Sequence, residues 1–230
     1  MKHSGITYVR PGRPGPEEKI ENTTVLNMAK LIKSEGNLLW IGGSVPLGAG
    51  IPDIVAAIFK PPLLNLARTT KPNISILSYL RTTGLAKKDT IVRKLLLSSG
   101  AIESQLEVYQ EIGAIQKINN AYCMQDSWKN LISEIVSVEA KVSSWKRAAN
   151  QAIRNKLFSN YSYVAFPTKV ANRVKSKDIF KDNGLGILGI EGDTMVLVKN
   201  ARKSSIFIWE YYYKLAHYIA IYYSKVKDAI

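Results

Sequence analysis

The sequence predicts an α/β protein with a helical insertion, on three observations. Two apolar, β-branched runs, residues 51–59 and 135–142, have the length and composition of buried strands. The second run leads into an amphipathic helix over 145–158, with Trp145, Ala148, Ala149, Ala152 and Ile153 at i, i+3, i+4, i+7 and i+8. Between the two runs, three short helical patterns each stop at a glycine: Gly84, Gly100 and Gly113.

Bulk numbers bound the answer. A chain of 230 residues with 46% hydrophobic content buries a core of one or two domains. The formal charge of +14 favours a polyanionic partner, nucleic acid or an anionic surface. Basic residues are spread along the chain, at Lys87-Lys88, Arg93-Lys94, Lys146-Arg147, 154–156 and 175–181, so a folded surface must carry them. One cysteine, Cys123, excludes an internal disulfide, and two histidines, His3 and His217, exclude a zinc cluster. With no apolar leader after Met1, a cytoplasmic setting is expected.

Taken in order, residues 1–19 predict a flexible basic arm, because the Pro and Gly of 8–18 remove donors and cost entropy. A helix is expected over 20–34, then strands over 38–41 and 51–59 joined through Gly42-Gly43 and residues 48–50, ended by Pro61-Pro62. Helices over 74–83, 89–97 and 102–112 and a hairpin turning at Asn119-Asn120 together resemble a winged helix-turn-helix. Its third helix carries Glu103, Glu107 and Glu111, which suits groove insertion poorly, and a helical insertion that only packs is the alternative. Asp126 is expected to cap a short helix over 128–132, and Ser143 or Ser144 to cap the helix at Trp145. A strand over 161–166, a helix over 170–180 and a hairpin of 187–190 with 195–198 follow.

The aromatic segment 206–223 carries Glu210, Lys214 and His217 on one stripe, which argues against a membrane span. It predicts a mostly buried helix that packs on this chain or forms a homodimer interface, with a strand over 206–213 as the other reading. Gly184, Gly186 and Gly189 match GxGxxG, but the residues after them alternate like a strand, so the dinucleotide reading fails and the stretch is expected to be a tight loop.

The chemistry concentrates at Glu139-Ala140-Lys141. On a strand, residues two apart share a face, so Glu139 and Lys141 point the same way. A second carboxylate, Asp53, lies in the other apolar run. Two carboxylates and the Ala140 main-chain carbonyl form an oxygen set of the kind Mg²⁺ or Mn²⁺ takes, and Lys141 beside them orients an attacking water. A solvated ion pair on a sheet face is the alternative for Glu139 and Lys141. At 86 positions' separation, Asp53 meets Glu139 only if the segment between them is an insertion.

On these residues the sequence resembles the PD-(D/E)XK, restriction-endonuclease-like nucleases. Pro52-Asp53 match the first half of the motif, Glu139-Ala140-Lys141 the second, and the helix with Trp145, Arg147 and Gln151 resembles the one that follows it. The resemblance covers residues 20–198 with an interruption. It implies a mixed sheet flanked by helices, Mg²⁺-dependent DNA cleavage, a contribution of Gln151 to the site and, from a helix-borne acid, an auxiliary role for Glu35. Glu35 as a surface charge is the alternative. Glu134 is a rival acid, although five residues before Glu139 it faces the other side of a regular strand.

The resulting expectation is a metal-dependent DNA phosphodiester hydrolase. Its nuclease core spans 20–65 and 126–200, a winged-helix-like insertion spans 66–125, and an aromatic helix spans 201–230. Lys146, Arg147 and Arg154 contact nucleic acid. The rival expectations are a non-catalytic DNA-binding regulator on the same scaffold and an assembly protein acting through the C-terminal helix.

Overall fold

The structure, a computed structural model, describes residues 7–10, 14–32, 37–48, 50–69 and 71–227. The fold is α/β, with a mixed seven-stranded sheet flanked by helices. The chain forms two compact units. One takes the described residues up to Phe59 with Ser133–Tyr211, and the other takes Lys60–Ile132 with the chain from Tyr212 onward.

The chain enters the first unit through strand β1 (Thr7–Tyr8), which lies parallel to β2 (Leu38–Gly43) as an edge strand. The expected arm over 1–19 is therefore partly ordered structure. Pro excludes an inner strand but leaves a two-residue edge ahead of it untouched. Helix α1 (Glu18–Leu26) is shorter than the expected 20–34. The Asn27 side chain donates to Thr23 O at 2.9 Å, offering the backbone an alternative to helix, and a 3₁₀ turn (Met28–Lys30) follows. β2 then pairs antiparallel with β3 (Ile54–Phe59). Asp53 sits in a bend just before β3, not inside the strand.

The second unit begins with a 3₁₀ segment (Pro61–Arg68). Helix α2 (Ile74–Thr83) ends at Gly84, whose φ of 80° few other residues adopt. β4 (Leu85–Lys87) leads into α3 (Lys88–Leu95) and α4 (Ser99–Glu111). The expected stop at Gly100 is not observed. α3 ends at Leu96 in the left-handed region, and Ser98 caps α4 by accepting from Ala101 N–H, so Gly100 lies in the first turn of α4. β5 (Ile115–Ile118) and β6 (Ala121–Met124) turn at Asn119, and the small antiparallel sheet runs β4-β6-β5. Helix α5 (Asp126–Lys129) starts earlier than expected. Gln125 is its N-cap, and Asp126 pairs with Lys129 at 2.7 Å instead of capping.

The chain returns to the first unit in β7 (Ile132–Ala140), the central strand of the order β1-β2-β3-β7-β8-β9-β10. Ser133 Oγ donates to Ile58 O, while Ala140 N–H reaches Asp53 at the other end, so β7 runs opposite to β3. A central strand is covered on both faces, which is why the run from Ile135 to Ala140 is buried throughout. Helix α6 (Trp145–Asn155) crosses to β8 (Tyr161–Pro167), parallel to β7. The expected single helix over 170–180 is two, α7 (Thr168–Val174) and α8 (Asp178–Asp182). β9 (Gly186–Glu191) and β10 (Thr194–Lys199) close the sheet as a hairpin. Gly186 and Gly189 thus lie in a strand and not in the expected tight loop, and a Cβ at Gly186 would collide with the Tyr163 ring.

The two sheet faces bury different layers. α1 and the turn after it contribute Ile20, Met28 and Ile32 against Ile54, Val136, Val138 and Leu188. On the opposite face, Ala148, Ala149 and Ala152 of α6 pack with Ala171, Val174 and Phe180 of α7 and α8 over Val164 and Ile187.

Helix α9 (Trp209–Lys227) settles the C-terminal segment as helix, not strand. From Tyr212 it belongs to the second unit, where Tyr212, Tyr213, Leu215, Ala216 and Ile219 are buried. Tyr213 OH donates to Trp128 O at 3.2 Å, and Tyr212 OH accepts from Ile132 N–H at 2.7 Å. Tyr212 and Tyr213 are thus occupied within the chain. Among the described residues no helix is long and apolar enough to cross a membrane.

Candidate active site

Strand order brings Asp53 to the end of β7 that carries Glu139, Ala140 and Lys141. β3 and β7 are neighbours, so the start of one and the end of the other meet, and Lys60–Ile132 between them belong to the second unit. Asp53 Oδ2 accepts from Lys141 Nζ at 2.7 Å and from Ala140 N–H at 2.8 Å. Lys141 Nζ also donates to Ala140 O at 2.7 Å and to Glu17 Oε2 at 3.2 Å. Glu139 is 1% exposed and faces α6, where Asn155 Nδ2 donates to its Oε1 at 2.7 Å. Lys141 lies one residue past the end of β7, though its N–H still bonds Ala165 O at 3.0 Å.

The electrostatics follow from this crowding of acids. Burial, then the nearby Asp53 charge, push the Glu139 carboxyl far above the usual range; Asn155 and Lys141 oppose them only in part. Burial works against the Lys141 ammonium, but Asp53, Glu139 and Glu17 outweigh it and the net shift is upward. Lys141 is therefore a cation throughout the neutral range, not a proton acceptor. Glu21, on the same helix as Glu17's neighbour Glu18, is pushed up to about 7 by burial and then by Asp53, against the pull of Lys141.

A buried hydroxyl network holds α6 in place. Ser137 Oγ lies 3.0 Å from Ser159 Oγ and donates to Ser162 Oγ at 3.2 Å, and Ser162 Oγ donates to Ala152 O at 2.7 Å. These bonds tie β7, β8 and α6 together, and so fix the reach of Asn155. Gln151, one turn before Asn155, has a buried Oε1 with no hydrogen-bond partner. Lys146, Arg147 and Arg154 are exposed on α6, with Lys146 Nζ 5.6 Å from the Trp145 ring centre.

The other sequence candidates stand apart. Glu134 lies five residues back along β7, about 16 Å at strand rise, and its charged neighbour is Lys203. Glu35 lies outside the described residues. Three participants were missed. Asn155 continues the α6 core stripe seven residues after Ala148, and a polar residue on such a stripe needs a partner. Glu17 and Glu21, one turn apart, precede and open α1, a position that sequence reading gives to the helix dipole.

The resemblance implies a divalent cation, and the residues present fit one. Glu139 Oε2 is buried with no hydrogen-bond partner, beside a second carboxylate. Lys141 already gathers only oxygens, from Asp53, Ala140 and Glu17, the ligand type that Mg²⁺ and Mn²⁺ take. Among the described residues no group of three or more His, Cys, Asp and Glu is gathered as a metal cage, so the fit rests on two carboxylates and a main-chain carbonyl. No protein-family model matches the chain, and neither a curated protein nor a solved structure matches it.

Proposed function

We propose that this chain is a metal-dependent DNA phosphodiester hydrolase of the PD-(D/E)XK kind. The observation that carries the reading is the meeting of Asp53, Glu139 and Lys141 at adjacent strand ends from positions far apart in sequence. The connectivity supports it: β2, β3 and β7 run antiparallel in turn, α6 crosses over, and β8 returns parallel to β7. In the second unit, the succession α2, β4, α3, α4, β5, β6 with sheet order β4-β6-β5 supports a winged-helix reading.

Asp53, Glu139 and the Ala140 carbonyl are the groups that would hold Mg²⁺ or Mn²⁺. Such a cation, when bound, neutralises phosphoryl charge and lowers the pKa of water. Asn155 fixes the Glu139 carboxylate by holding one oxygen and leaving the other open. Lys141, kept protonated by its acid neighbours, stabilises negative charge on an attacking oxygen and on the phosphate. Glu21, with a proton affinity near neutrality and charge contact with Asp53 and Lys141, suits the acceptor of the water proton.

A second reading has its own observation. Lys141 satisfies Asp53, Glu17 and the Ala140 carbonyl at once, as a structural ion cluster in a non-catalytic DNA-binding protein would. Incubating supercoiled plasmid with the protein separates the two. The hydrolase nicks or cuts it with Mg²⁺ or Mn²⁺, stops with EDTA, and loses cutting but not DNA affinity in Asp53→Ala and Lys141→Ala. Binding with no cutting under any divalent cation selects the scaffold.

A further inference from the structure

We infer that the outer surface of the α6–α7–α8 layer is the nucleic-acid-binding face of the first unit, one that carries the strand on either side of the scissile phosphate. This rests on the nuclease reading for the word scissile only; the face is argued from its own residues.

Overall charge does not choose between the units. The first holds 19 bases and 12 acids and the second 13 and 6, so each carries +7. Arrangement does choose. Residues 142–182, which contain all three helices, hold nine Lys and Arg and two acids, Asp178 and Asp182. The helices bury their inner sides in one shared cluster on one sheet face, so their outer sides form one layer. Arg147, Arg154, Lys169, Arg173, Lys175 and Lys177 are all exposed there. Among the described residues none of the six makes an ion pair. Unpaired cations held together on a folded surface repel one another, and a polyanion relieves that repulsion.

The alternatives are electrically wrong. On the opposite sheet face, α1 brings Glu18 and Glu21, with Glu17 at its N-terminal cap. In the second unit, Lys87, Lys88, Arg93 and Lys94 at α3 are balanced by Asp89, Glu103, Glu107 and Glu111 on α3 and α4, with Lys88 paired to Glu103 at 3.2 Å. Nucleic acid is favoured over an anionic membrane by what lies between the cations. Asn150, Asn172 and Ser176 are exposed on this layer, side chains that bond phosphate oxygens, and no large apolar side chain projects there for insertion into lipid. Helix α6 begins four residues after Lys141, so the face starts at the candidate site. Arg147 and Arg154 are two helical turns apart on one side of α6, and Lys169 and Arg173 one turn apart on α7.

The test measures binding of the full chain to a labelled mixed-sequence 30-base-pair duplex in EDTA, across a salt series. The face variant is Lys169→Ala/Arg173→Ala/Lys177→Ala. A charge-matched reference is Lys87→Ala/Arg93→Ala/Lys94→Ala in the second unit, all three exposed. Three lost phosphate contacts lower the slope of log affinity against log salt by about 2.7. That shift is expected in the face variant, with less than about one unit in the reference. Equal slopes for the two variants, or no change in the face variant, overturn the inference. So does a wild-type protein that binds anionic-lipid vesicles through these residues and leaves the duplex unbound. Cleavage plays no part in this assay, so a face that holds while Mg²⁺-plasmid cutting fails removes the nuclease reading alone. Cutting that persists with an unchanged slope removes the face alone.

Discussion

Removing the Lys141 ammonium tests the site at its centre. Lys141→Met keeps an unbranched chain in the 7%-exposed position but leaves Asp53, Glu17, Glu21 and Glu139 without their shared counter-charge. Deleting one partner of a fully buried pair costs about 3–5 kcal/mol. The Asp53 side chain is 21% exposed and that of Glu17 37%, so water screens part of the loss and about 2–3 kcal/mol is expected. For a chain of this size that corresponds to a fall in Tm of roughly 5–10 °C. Thermal unfolding in EDTA at pH 7.5 reads it directly. The loss grows with pH, because carboxyls whose folded pKa is raised cost stability once pH passes their unfolded value near 4.5. A divalent cation replaces the missing charge, so Mn²⁺ raises the variant's Tm more than that of the wild type. An unchanged Tm in EDTA, or equal cation effects on the two proteins, refutes the account of these oxygens as a cation site.

Glu139→Gln removes a carboxyl that stays protonated in the fold above pH 4.5, so wild-type stability in EDTA declines as pH rises through the neutral range and the variant's decline is smaller; urea titrations at pH 5 and pH 8 compare the two. Asn155→Ala frees Glu139 Oε1 and lowers kcat for cutting about tenfold, as the loss of a charge-assisted bond of roughly 1.5 kcal/mol implies; unchanged kcat shows that Asn155 does not position the carboxylate. Tyr213→Ala empties a fully buried site in the second unit and costs about 3–5 kcal/mol; chemical denaturation measures it, and the oligomeric state by light scattering stays that of the wild type because this ring faces inward.

The parts legible in the sequence were those set by local physics. The buried runs around Asp53 and Glu139, the amphipathic helix from Trp145, the helix ends at Gly84 and Gly113, and the Gly192-Asp193 hairpin each follow from a few neighbouring residues. The failure of the dinucleotide reading was legible in the same way, since alternation after the glycines excludes a helix there, whereas the expected tight loop is strand β9 from Gly186 onward. Where the reading missed, either a neighbouring residue took the role first or the partner was remote. Gly100 lies inside α4 because Leu96 ends α3 and Ser98 caps α4 first. Asp126 spends its carboxylate on Lys129 instead of capping α5. The arm over 1–19 contains an edge strand because β2 offers it a free rim, which composition does not display.

By itself the sequence determined the classes of element, the excess of positive charge and the presence of an acid and an amine around one strand end. Periodicity, glycine and charge are properties of the chain alone. Only the tertiary structure decided which acids the amine meets: Asp53 across the sheet and Glu17 from the helix, with Asn155 behind Glu139 and Glu134 left apart. The reason is that strand adjacency and helix docking set distances between side chains, and those distances, not separations along the chain, govern charge and hydrogen bonding.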